Sequence, residues 1–198
     1  MIGSKVVVDS QDLQQLFDFL KENDYTIVGP KLRDGAIVYD NLASTTELPI
    51  GCTDEQNGGT YRARKRDTAM FFDYTVGPQS WKSHFLPPSI SLWKATRSGK
   101  HSKISEEHQK VLKLALIGVR SCELHAIKMQ DEILLNGKYV DPIYSERREG
   151  IFIVAVNCLR GGGTCFCTST RTGPRVTFGF DLSLTEILDG ERHYFVVD

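Results

Sequence analysis

Two short apolar runs constrain what this chain can fold into more than any other feature. One is nearly continuous, at residues 111–119 (VLKLALIGV), and the other wholly so, at 151–156 (IFIVAV). Runs of this length without polar alternation suit strands buried on both faces. Between them, residues 122–135 carry Leu124, Ile127, Met129 and Ile133 at helical intervals and close on Asn136-Gly137, a C-cap pair. A strand, a helix and a strand with about 30 residues of crossover make a βαβ unit, whose strands run parallel and end on the same edge.

The chain before this unit reads as mixed α and β. Ser10 is a suitable N-cap for a helix over 11–22, with Leu13, Leu16, Phe17 and Leu20 on one face. Strands are expected at 25–28 and 36–39 around a turn at Arg33-Asp34-Gly35, and again at 61–64 and 69–76. Residues 51–60 are polar and glycine-bearing, hence a loop, and 96–107 read as an exposed turn or linker. Gly77-Pro78 and Pro87-Pro88 bracket one or two helical turns, in which Trp81 and Phe85 read as core or interface. A last strand is expected near the carboxyl terminus, over 194–197. The expected fold class is α+β, a mixed first half (1–105) followed by a βαβ region (106–198) with parallel strands, as parts of one compact unit.

Composition excludes several classes of function. Of 198 residues, 40% are apolar and 25% charged, so a core forms and disorder is not expected. A net charge of −1 gives no global reason to bind nucleic acid or an anionic membrane. The one basic run, Arg62-Ala63-Arg64-Lys65-Arg66, reads as a solvated strand end, or more sharply as a dock for an acidic partner. No apolar stretch reaches the length of a membrane span, and the first ten residues lack a signal-peptide layout, so a cytoplasmic protein is expected. Five cysteines in a reducing compartment point to metal or redox chemistry rather than to disulfides.

The βαβ reading gives four of the cysteines a geometry. Cys122 follows the first strand at the start of the helix, and Cys158 follows the second strand. Both therefore lie at the carboxyl edge of the parallel strands, where ligands collect. Gly161-Gly162-Gly163 permits a tight reversal with unusual φ values, which would carry Cys165 and Cys167 back toward the other two. One [4Fe–4S] cluster held by Cys122, Cys158, Cys165 and Cys167 is expected. Its negative charge would meet the helix N-terminus, the loop amides and the flanking Arg120, Arg160 and Arg171. Zinc suits four thiolates equally well. In the blander reading, Cys122 and Cys158 are small buried residues and the Cys-x-Cys pair has no task. Cys52, in the polar tract, reads as a lone surface thiol.

Several segments carry a resemblance to a known family. They are YTVGP (74–78), SWK (80–82), FLPP (85–88), GVRSCELHAIK (118–128), YVDP (139–142), VNC (156–158), TCFCTS (164–169), TGP (172–174) and GFDLSLTE (179–186). The chain resembles the amino-terminal part of the beta subunit of cytoplasmic sulfhydrogenases and of its counterpart in anaerobic sulfite reductase, a family of iron–sulfur electron carriers. The resemblance implies a subunit that relays electrons between a flavin-bearing partner handling NAD(P)H and a catalytic hydrogenase or reductase partner. It also implies two ferredoxin-type clusters in a carboxy-terminal domain. No CxxCxxCxxxC run stands in this sequence, so that domain is expected to be absent, through truncation or a split subunit. Ser121 and Thr170-Arg171 depart from the family pattern without touching a proposed ligand.

The remaining candidates are weaker. His125 lies one turn after Cys122 and reads as a packed or capping residue more readily than as a ligand. The glycine run is followed by no GK[ST], and no GxGxxG is present, so this chain is not expected to bind nucleotide, flavin or nicotinamide itself. The alternative to an electron carrier is a zinc-holding or metal-free docking domain, with Trp81, Pro87-Pro88 and the basic 62–66 run as its contact surface.

Overall fold

The computed structural model describes residues 5–99, 101–106 and 112–198. The elements in chain order are β1 (Val6–Asp9), α1 (Leu13–Glu22), β2 (Thr26–Arg33), β3 (Ala36–Asn41), β4 (Cys52–Asn57), β5 (Thr60–Lys65), α2 (Lys82–Phe85), β6 (Trp93–Ser98) and β7 (His101–Glu106). They continue with β8 (Leu114–Val119), α3 (Ser121–Leu134), α4 (Pro142–Glu149), β9 (Ile151–Val156), α5 (Cys167–Thr170), β10 (Leu182–Asp189) and β11 (Arg192–Val197). The fold is α+β with a mixed sheet, as expected.

Seven strands make the main sheet, in the order β1-β11-β10-β9-β8-β2-β3. The four central strands β10, β9, β8 and β2 are mutually parallel. Antiparallel β3 closes one side, and β11 with β1 closes the other. The sheet therefore takes strands from both halves of the sequence.

Burial explains why the central strands lack polar alternation. Ile27, Ile117 and Val154 enter one core with Leu13, Phe17 and Leu20 of α1. Their neighbours Val28, Leu116 and Ile153 enter a second core with Leu124 and Ile127 of α3, Phe85 of α2 and Tyr144 of α4. Adjacent strand residues point to opposite faces, and helices cover both faces, so every position is apolar. The helix α4 went unread in the sequence. Asp141 caps it, accepting from the Ile143 and Tyr144 amides at 3.0 and 2.9 Å, with proline in its first turn.

Five expectations need correction. Residues 51–60 and 96–106 are hairpins, β4–β5 and β6–β7, and residue 107 of the latter stretch lies outside the described residues. The β6–β7 hairpin is exposed, and the buried start of β4 is mostly polar, so no apolar pattern marked either. Residues 69–76 are no strand. Buried side chains serve this backbone instead: Glu186 accepts from the Phe71 and Phe72 amides at 2.6 and 2.9 Å, and Asp54 accepts from the Thr75 amide at 2.6 Å. Cys52 is no surface thiol but a core residue opening β4, only 3% exposed, whose burial raises its pKa. Trp81 and Phe85 are core residues, one of the two readings given them. At 1% exposure, and stacked on Tyr39 at 3.7 Å between ring centres, Trp81 cannot be the contact surface of the docking-domain alternative.

Candidate metal centre

The four expected cysteines line one cavity of about 660 Å3. Each arrives by a separate local device. A bulge at Gly118, with φ +88°, lies one residue before the end of β8, and the chain then turns into α3, whose first turn carries Cys122. Cys158 follows β9, and its amide donates to the Pro174 carbonyl at 3.3 Å. Cys165 closes a turn through its amide to the Gly162 carbonyl at 3.1 Å, and the Gly162 amide donates to its Sγ at 3.2 Å. Cys167 opens the short α5, with the backbone of Gly173 close against its sulfur.

The thiols sense one another electrostatically. Burial first, then the Glu123 carboxylate and the Cys158 and Cys167 thiols, push the Cys122 pKa up to about 12. Burial also raises the Cys158 pKa, against the pull of the Arg120 cation and with the Cys167 and Cys165 thiols adding to it. Both are neutral thiols at pH 7, so a bound metal must displace their protons. Among the described residues, no group of three or more His, Cys, Asp or Glu side chains forms a ready-made cage for an ion. The cysteines share a cavity without closing on a point.

Arg120 is the nearby feature whose role exceeds what its sequence position implied. It is 1% exposed and donates to the carbonyls of Phe72 and Tyr74 at 2.9 Å and of Asn157 at 3.2 Å. It also lies over the Tyr74 ring, at 5.1 Å. Burial opposes its charge, but Cys158, Tyr74, Tyr39 and Glu123 around it raise its pKa, so it remains a cation. Glu123 accepts from the Arg120 amide at 2.9 Å and from the Tyr39 hydroxyl at 2.6 Å, and burial raises the Glu123 pKa.

The opposite wall comes from the first half of the chain and was missed in the sequence. Asp54 of β4, with a fully buried side chain, accepts from Thr75 Oγ1 at 2.6 Å, Gln56 Nε2 at 2.7 Å and Arg160 Nη2 at 2.9 Å. Arg160 also pairs with Asp73 at 3.3 Å. Arg160 thus clamps the cysteine loop to the β4–β5 hairpin instead of standing free beside the sulfurs. No local signal in the tract around Asp54 marked this, because Thr75 and Arg160 lie 21 and 106 residues away. His125 stays outside the cavity, bonded at 2.9 Å to the Ser121 carbonyl and edge-on to Phe178.

The glycine run works by size and not by φ. None of Gly161, Gly162 and Gly163 has a positive φ. A Cβ on Gly162 would stand 2.7 Å from Thr75 Oγ1, and one on Gly163 2.3 Å from the Gln56 carbonyl oxygen. Gly163→Ala is therefore expected to lift the loop from the hairpin, costing about 1–3 kcal/mol and lowering metal content. Gly161 has open space around it, so Gly161→Ala should stay within about 0.5 kcal/mol of the parent. Thermal unfolding with metal analysis checks the contrast, and equal effects at the two sites would refute the close-approach account.

No family model matches the chain, and no solved structure matches it. It is 31% identical over 137 residues to sulfhydrogenase 2 subunit beta of Pyrococcus furiosus, a match covering 68% of this chain. The chain spans only 39% of the length of that relative. Over the matched stretch, the chain belongs to the sulfhydrogenase beta-subunit family.

Proposed function

We propose that this chain holds one [4Fe–4S] cluster through Cys122, Cys158, Cys165 and Cys167. In this reading it is an electron-transfer subunit of a cytoplasmic, sulfhydrogenase-type oxidoreductase. Its partners would be a flavin-bearing protein that handles NAD(P)H, on one side, and a catalytic hydrogenase or reductase on the other. The observation that carries the reading is the gathering of four of the five cysteines around one cavity, from segments up to 45 residues apart. No helix among the described residues is long and apolar enough to cross a membrane.

The donor set fits such a cluster on three counts. Four thiolates are the usual ligands of a cubane. The cavity is wide, whereas a single zinc ion draws its four sulfurs to about 3.8 Å from one another. The buried Arg120 cation, the first turn of α3 and the Gly162 amide on Cys165 supply positive surroundings for the cluster's negative charge. The cluster, when bound, supplies one-electron storage and transfer. The chain's own residues orient the thiolates, with Cys122, Cys158 and Cys167 half-buried and Cys165 exposed.

Iron, zinc and acid-labile sulfide should be measured with a visible spectrum on protein purified without oxygen. About four irons and four sulfides per chain are expected, with brown absorbance lost in Cys158→Ser and Cys167→Ser. One zinc, or iron unchanged in those variants, would assign the cysteines to structure and sink the reading.

A further inference from the structure

We propose that the mouth of the cysteine cavity is a docking face for an acidic electron-carrier protein. The surface is argued from charge and exposure alone. Only the redox nature of its occupant rests on the cluster reading above.

Charge is unevenly placed along this chain. Residues 157–180, which carry three of the four cysteines, contain Arg160, Arg171 and Arg175 and no aspartate or glutamate. Since the whole chain sums to −1, the remainder is net acidic and this loop is a local positive patch. Arg160 is taken up by Asp54 and Asp73. Arg171 and Arg175 are exposed, and neither is ion-paired among the described residues. Arg171 sits between Thr168 and Thr172, both of which line the cavity. Arg175 lines a second cavity of about 400 Å3, which shares Cys158 and Pro174 with the first. Among the described residues, no carboxylate lines the cysteine cavity.

The centre of the patch is apolar. Phe166, 70% exposed, and Leu159, 41% exposed, both line the cavity mouth beside the exposed Cys165. An exposed aromatic residue on a loop that also carries two unpaired cations and no carboxylate is the layout of a protein interface, with an apolar anchor and a steering rim. Two free arginines are too few for a nucleic-acid track, which needs a cation every few ångströms of backbone. They suffice to orient an acidic protein and to raise its encounter rate. Cys165 at the rim would place a bound redox centre against such a partner.

The test is binding of oxidised flavodoxin, an acidic flavin-bearing electron carrier, measured by calorimetry at low and at about 0.3 M salt. The wild-type chain should bind at low salt and lose about tenfold in affinity at high salt. Arg171→Glu with Arg175→Glu should weaken low-salt binding about tenfold or more and flatten the salt dependence. Phe166→Ser should weaken binding at both salt concentrations, and Lys138→Glu, outside both cavities, should change nothing. Absence of low-salt binding, or binding that ignores the arginine reversals, overturns the proposal. Iron content, read on the same samples, separates the two claims. Arginine-dependent binding by an iron-free chain would keep the docking face and sink the cluster. An iron-loaded chain indifferent to the reversals would do the opposite.

Discussion

Arg120→Met is expected to destabilise the fold by about 3–5 kcal/mol and to lower Tm by about 10 °C or more. The guanidinium satisfies the carbonyls of Phe72, Tyr74 and Asn157, which lie on two segments otherwise not joined by strand pairing. Methionine fills similar volume but donates nothing, leaving buried carbonyls without partners. It also removes the cation facing Cys158 and Glu123. Glu123 would then be a buried carboxylate with less compensation. Arg120→Lys should fall between, because an ammonium keeps the charge but cannot fork to three carbonyls. Chemical denaturation of the metal-free chain isolates this contribution. A methionine variant as stable as the parent would show that the carbonyls find other donors, and the account of segment 70–77 would fail.

Asp54→Ala is expected to cost about 2–4 kcal/mol, with loss of metal content beyond what the lowered stability explains. Its carboxylate receives the Thr75 amide and hydroxyl, Gln56 and Arg160, so one side chain joins the hairpin, segment 70–77 and the cysteine loop. Arg160 is about one-third exposed, so solvent screens part of the ion pair. Most of the cost comes from the stranded Thr75 amide and hydroxyl, since Gln56 Nε2 keeps Thr75 Oγ1 and the Val76 carbonyl at 2.8 Å each. Arg160→Ala should therefore cost less than Asp54→Ala. The double variant should cost less than the sum of the single ones, as for groups in one network. Additive effects would mean that Asp54 and Arg160 act separately, and the clamp would be wrong.

How much of this was legible in the sequence depended on where each residue's partners lie. The strands β8 and β9 and the helix α3 were readable because burial on both faces leaves a continuous apolar run and a helix leaves a 3.6-residue period. The edge on which Cys122 and Cys158 fall followed from the handedness and direction of a βαβ crossover. Strand β5 was expected at 61–64, but its partner β4 was not, since its buried residues Cys52, Thr53 and Asp54 are consecutive and mostly polar, and the exposed β6–β7 hairpin has no face to pattern. Segment 69–76 alternates like a strand, yet its amides bond to Glu186 and Asp54.

The sequence by itself determined the parallel pair β8 and β9, the helices α1 and α3, and the carboxyl edge on which Cys122 and Cys158 fall. Those features rest on local periodicity and on short-range connection rules. Only the tertiary structure decided that Cys52 belongs to the core, that Arg120 is buried among carbonyls, and that Gly162 and Gly163 are small because Thr75 and Gln56 press against them. Each of these depends on contacts between segments tens of residues apart. Such contacts are set by how the helices and hairpins close around the sheet, and no local pattern encodes them.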